Sequence, residues 1–141
     1  MRPILLAALT LVACARAPAS AGSPAPAAVC AAGDTALVHE AIYFGRNRPD
    51  GGTVSDAEWR AFLDEVVTPK FPNGFTVIAA TGQWKGQSGA VEREPSAILA
   101  LLHTGSEADR AAVAAVAAEY KRRFRQEAVL RERTPACARF E

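Results

Sequence analysis

The chain has 141 residues, room for one domain. Sixteen Lys and Arg stand against 15 Asp and Glu, a formal net charge of +1. This excludes the basic excess of a protein that coats nucleic acid. Half of the residues are hydrophobic, but 31 of these are alanine, 12 of them ahead of Gly33. About a hundred residues follow, enough for a small core with little margin.

Met1-Arg2-Pro3 is a short positive start, and Ile4 to Val12 is an apolar run. Its length suits the h-region of a secretory signal and is far too short to span a bilayer. The run closes on Leu11-Val12-Ala13-Cys14, which resembles the lipobox of bacterial lipoproteins, where cleavage precedes the Cys and its thiol takes up diacylglycerol. Residues 1–13 are expected to be a signal peptide and Cys14 a lipidation site. The protein would then be exported to the cell envelope and held to membrane by its lipid. Ala15 replaces the Asp that retains lipoproteins in the inner membrane, so a Gram-negative cell would place it on the periplasmic face of the outer membrane. Cleavage at Ala15-Arg16-Ala17 or Ala17-Pro18-Ala19, which discards Cys14, is the competing expectation. Residues 14–33 carry Pro, Ser and Gly among alanines and no apolar period, as a flexible tether does.

A single domain is expected over 34–135, with a tail at 136–141. Ala36 to Phe44 is a β-type run stopped by Gly45 and the turn Arg48-Pro49-Asp50-Gly51-Gly52. Ser55-Asp56-Ala57-Glu58 is a capping box. The helix after it places Trp59, Phe62, Leu63, Val66 and Val67 on one stripe, and Pro69 and Pro72 end it. Phe75 to Thr81 predicts a second strand running on to Trp84. Gly82, Gly86 and Gly89 predict a long hairpin loop. Val91 to His103 predicts the third strand, with Pro95 limiting its first half to an edge or bulge. Thr104-Gly105-Ser106 restarts a helix on the period of Ala112, Val113, Val116, Ala117, Tyr120 and Phe124, with Lys121, Arg122, Arg123 and Arg125 at the dipole's negative end. Ala128 to Arg133 predicts a short last strand.

The order β-α-β-β-α-β is that of the split β-α-β, or ferredoxin-like, α+β fold: a four-stranded antiparallel sheet ordered 4-1-3-2 with two helices on one face. That order makes the start of strand one and the end of strand four neighbours, where Cys30 and Cys137 lie. With Cys14 lipidated, these two remain, and an oxidising compartment favours a disulfide between them. Two unpaired thiols are the alternative. A metal site is not expected, because Cys-x-x-Cys is absent and His39 and His103 lie far from both Cys. No cofactor is expected.

Several stretches together resemble a family of exported bacterial proteins catalogued as domain of unknown function 3574. They are Tyr43-Phe44-Gly45, Arg48-Pro49-Asp50-Gly51, Glu58-Trp59, Val67-Thr68-Pro69-Lys70-Phe71-Pro72, Gly82-Gln83-Trp84, Arg93-Glu94-Pro95-Ser96 and Gln126-Glu127-Ala128-Val129-Leu130-Arg131. The likeness spans about Ala41 to Arg131. Ala97 stands where the family often has a basic residue. The resemblance implies boundaries and no activity.

Common catalytic patterns fail on inspection. Gly82 to Gly89 lacks the helix and the spacing of a phosphate loop. Ser88 and Ser96 have no nucleophile elbow around them. His39 and His103 suit core or edge positions, and Asp64 and Glu65 point to different helix faces. What the topology gathers is one sheet edge bearing Arg46, Arg48, the Ser55 helix start, Trp84, Arg93 with Glu94, and Arg123 with Gln126. Arg46, Arg48, Trp84, Arg93 and Glu94 are expected to line a site for a small anion, unless the charges only pair with each other. The expected function is thus an envelope lipoprotein domain binding a small anionic ligand or a partner protein, without catalysis. The alternatives are an enzyme of the dimeric ferredoxin-like kind, resembling monooxygenases or isomerases and acting as a homodimer, or an inhibitor-type module.

Overall fold

The computed structural model describes residues 29–86 and 89–141. The expected signal peptide, the Cys14 lipidation site, most of the tether and Ser88 therefore lie outside the described residues.

Strand β1 (Thr35–Gly45), helix α1 (Asp56–Phe62), strands β2 (Thr76–Lys85) and β3 (Val91–His103), helix α2 (Glu107–Phe124) and strand β4 (Leu130–Ala138) follow in the expected order. They build one sheet ordered β2-β3-β1-β4, antiparallel throughout. This is the ferredoxin-like α+β arrangement. Side chains alternate across each strand and so divide the sheet into two faces. Ile42 and Phe44 of β1 lie opposite Leu99 and Ala97 of β3, and all four are buried with residues of both helices. Tyr43, Gly45, Ser96 and Ile98 take the other face and are only partly buried.

Both helices start on a capping box, Ser55 with Glu58 and Ser106 with Asp109. The apolar stripe of α1 packs as the sequence predicts, and Phe44, Trp59, Phe62, Tyr120 and Phe124 form one aromatic cluster with ring centroids 4.5–6.0 Å apart. Helix α1 does not simply end, however. It widens into a π-helical turn, Leu63–Val67, closed by the Thr68 N–H on the Leu63 carbonyl at 2.8 Å. Through that turn the adjacent Val66 and Val67 are both buried.

Two boundaries differ from expectation, and Pro95 takes the edge position expected of it. Gly82 lies inside β2, opposite Glu94, so the connection to β3 is shorter than the glycines suggest. A β-carbon at Gly82 would stand 2.8 Å from Ser96 Oγ, so its glycine serves close packing between strands and not a turn. Strand β4 continues through Pro135 to Ala138 and takes in the first half of the expected tail. An edge strand tolerates that proline because only one side of it is paired. Pro95 sits in β3 beyond the last β1 pair, Gly45 with Ser96, and its carbonyl accepts the Arg46 N–H at 2.9 Å. The Arg46 carbonyl beside the proline nitrogen accepts the Val54 N–H at 2.8 Å, so the missing donor leaves no acceptor unpaired. Cys30 and Cys137 stand in bonding position, sulfurs 2.08 Å and Cα atoms 5.5 Å apart.

Candidate functional site

A cleft of about 680 Å³ opens on the sheet face away from the core, within the range of small-molecule sites. Its floor is the outward set of three strands: Tyr43 and Gly45 from β1, Ala80, Gly82 and Trp84 from β2, and Glu92, Glu94, Ser96 and Ile98 from β3. Cross-strand pairing brings them together, since Gly82 faces Glu94 and Trp84 faces Glu92. Two loops make the rim, Asn47 to Pro49 after β1 and Gln126 to Val129 before β4.

Asn47 ties these parts together. Its N–H donates to Glu94 Oε2 at 3.0 Å, its side-chain amide donates to the Arg93 carbonyl at 3.2 Å, and its carbonyl accepts the Gln126 amide at 2.6 Å. Glu94 lies across Gly45, where a β-carbon would fall 2.5 Å from its carboxyl carbon. At the hairpin end, a β-carbon on Gly86 would lie 3.5 Å from Glu92, 3.6 Å from Glu127 and 3.8 Å from the Trp84 ring. Two carboxylates and one indole converge there. On the β4 side, Tyr43 donates to Glu132 at 2.9 Å, and that bond raises the phenol's pKa.

Of the five residues expected to form an anion site, Arg48, Trp84 and Glu94 line the cleft and Arg46 and Arg93 do not. Arg46 is held by the Val54 carbonyl, 2.9 Å from Nε, and by Asp56 at 2.7 Å, an ion pair that lowers the Asp56 pKa. It fixes the β1–α1 loop. Arg93 alternates out of the floor between Glu92 and Glu94. Arg48 is bonded to Glu58 and lies 5.5 Å from the centroid of the Phe124 ring. Bonds from the Ser55 N–H and hydroxyl, and then from Arg48, bring the Glu58 pKa down to about 2. Arg123 pairs with Glu65 at 2.8 Å, away from the cleft, whereas Gln126 reaches the rim.

The charge of the cleft is therefore opposite to the expectation. Among the described residues, Glu92, Glu94 and Glu127 line it against one guanidinium, that of Arg48, which is paired with Glu58. Sequence reasoning missed Glu92, Glu127, Tyr43 and Asn47. The available signal was the period of two in Glu92-Arg93-Glu94-Pro95-Ser96, which puts both acids on one face and the arginine on the other. His103 is buried, its Nδ1 accepting the Gly105 N–H at 3.0 Å, and it belongs to the core. Among the described residues no three His, Cys, Asp or Glu side chains converge as metal ligands.

Fold and cleft together define a ferredoxin-like α+β domain with an acidic cleft on its open sheet face. The chain belongs to the family of proteins of unknown function DUF3574, whose model matches residues 39–140. No curated protein is detectably similar in sequence. Among solved structures, a phage SAM lyase in complex with S-methyl-5'-thioadenosine is similar at 19% identity and a TM-score of 0.56, over 74% of this chain and 90% of that one. A phage SAM lyase in the apo state matches at 20% identity and a TM-score of 0.54, over 75% and 91%. At this identity the likeness shows a shared fold. It also corrects the expectation of a non-enzymatic binding domain, because both neighbours are enzymes, and lyases where monooxygenases or isomerases had been the analogy.

Proposed function

We propose that the chain is an enzyme whose cleft takes a small organic cation with a flat apolar body, an adenosine-bearing sulfonium such as SAM being the first to test. The observation that carries this is the lining of the cleft: Glu92 and Glu94 stand beside Trp84 and Tyr43, and among the described residues the one lining guanidinium, Arg48, is paired with Glu58. A carboxylate-rich pocket with aromatic walls favours a cation over an anion through Coulomb attraction and the negative faces of the rings. The phage lyases support the reaction class, cleavage of a carbon–sulfur bond. The electron pair goes to sulfur while the departing carbon fragment loses a neighbouring proton to water or closes on its own carboxylate, so that no co-reactant is needed.

We also propose export with a lipid on Cys14, supported by the Leu11-Val12-Ala13-Cys14 motif and by a cysteine pair suited to an oxidising compartment. An exported site meets its substrate outside the cytoplasm, so sulfonium compounds lacking adenosine, such as S-methylmethionine, belong in the same assay. Incubation of the full chain with each compound, followed by chromatography, should show substrate loss above buffer and, from SAM, appearance of S-methyl-5'-thioadenosine. If no sulfonium is consumed or bound, the proposal fails. Fractionation of a Cys14→Ser protein, expected to leave the membrane, tests the anchor separately.

A further inference from the structure

We infer that Glu94 is the residue by which the cleft distinguishes a cationic ligand from its neutral counterpart; this rests on the reading of the cleft just given. Three observations converge on it. First, its carboxylate is fixed. Oε2 accepts the Asn47 N–H at 3.0 Å, and Asn47 is itself held by Gln126 and by the Arg93 carbonyl. Second, room has been made for it. Gly45 lies beneath the carboxyl group, at a distance no β-carbon could occupy. Third, its charge is unspent: among the described residues Glu94 makes no ion pair, because Arg46 is bonded to Asp56 and Arg48 to Glu58. A half-buried carboxylate with a fixed direction and no ion pair of its own attracts a cation more than an exposed, rotating one does. Glu92, on the same face, is exposed and so more fully screened.

The chemistry determines what this attraction does. When a carbon–sulfur bond of a sulfonium breaks, its electron pair moves to sulfur and the positive charge at sulfur disappears. Attraction by Glu94 is then greatest before the bond breaks, and interactions that favour the bound substrate over the transition state do not raise kcat. Glu94 therefore acts on selection and affinity. Glutamine at this position keeps an oxygen for the Asn47 N–H and loses only the charge.

Titration calorimetry of the full chain with SAM and with S-adenosylhomocysteine tests the inference, the two ligands differing only in a methyl group and the charge at sulfur. Glu94→Gln should weaken SAM by about tenfold or more and the neutral thioether by less than about twofold, while Glu92→Gln discriminates less. In turnover, KM should rise with no fall in kcat. Equal losses for both ligands would overturn the inference, since Glu94 would then serve shape alone. A fall in kcat at constant KM would overturn it too, by assigning Glu94 a proton-transfer role. A larger selective loss in Glu92→Gln would move the role to that residue. If the wild type binds neither ligand, the reading of the cleft falls and this inference with it, an outcome distinct from the other three.

Discussion

The Tyr120 hydroxyl donates to the Gly45 carbonyl at 2.9 Å, joining the middle of the aromatic core to the strand end on which the cleft is built. Tyr120 is fully buried, and that burial pushes its hydroxyl well above the usual range, so it stays a donor at any working pH. The bond fixes the last residue of β1 from below, while Glu94 occupies the space above it. A core residue of α2 thus sets the position of the cleft floor.

Tyr120→Phe keeps the ring contacts with Phe44, Phe62 and Phe124 and removes only the donor. The cost should be about 1–3 kcal/mol, that of a carbonyl left without its buried partner. Urea unfolding measures it. A loss under a few tenths of a kcal/mol would mean that the carbonyl has found water and that the hydroxyl does not hold β1.

Reduction of the Cys30–Cys137 pair should destabilise the domain by about 2–5 kcal/mol, since a link across 107 residues restricts the unfolded chain strongly. The native sheet should survive, because Ala36 to Val38 keep their ladder with Pro135 to Cys137. Thermal melts with and without reductant, in the wild type and in a Cys30→Ser, Cys137→Ser double variant, provide the comparison. Equal melting temperatures would show that the thiols are not linked.

The fold was largely legible because each element carries its own local signal. Ser55 and Ser106 announce the helices, the spacing of Trp59, Phe62 and Val66 gives the buried stripe, and the position of two cysteines agrees with the strand order. The cleft was legible only in part. Trp84, Arg48 and Glu94 could be brought to one edge by topology, but their charge balance depends on which side-chain pairs close. Nothing local to Arg48 names Glu58 as its partner ten residues on. The π turn was illegible for a similar reason, as Val66 and Val67 fit an α-helical stripe equally well.

Glu58 gives a pH dependence of definite sign. Its folded pKa is about 2 against an ordinary 4.5, lowered first by the Ser55 bonds and then by Arg48. A depressed folded pKa contributes stability that is fully present above the unfolded value and is lost as pH falls toward the folded one. Stability should therefore fall between pH 4.5 and about 2. Glu58→Gln should flatten that part of the profile, since glutamine at N3 still closes the capping box but does not titrate. Asp56, Asp109 and Glu119 are also lowered by their partners, so a residual slope should persist. Urea midpoints across this window decide it. An unchanged slope in Glu58→Gln would place the acid sensitivity in the other carboxylates.

Gly45→Ala tests the packing under the cleft. Gly45 is not among the glycines with positive φ, so alanine can adopt its backbone conformation. The penalty must then come from the added carbon meeting the Glu94 carboxyl group. Glu94 cannot yield without leaving the Asn47 N–H, and overpacking of this kind costs about 1–3 kcal/mol. Glu94→Ala removes the obstacle and has its own cost, the lost bond to Asn47. In the double variant the added methyl meets nothing of Glu94, so its destabilisation should fall short of the sum of the two singles by about 0.5 kcal/mol or more. Urea unfolding of the four proteins measures the coupling. Strict additivity would show that Gly45 is required for some reason other than the seat of Glu94.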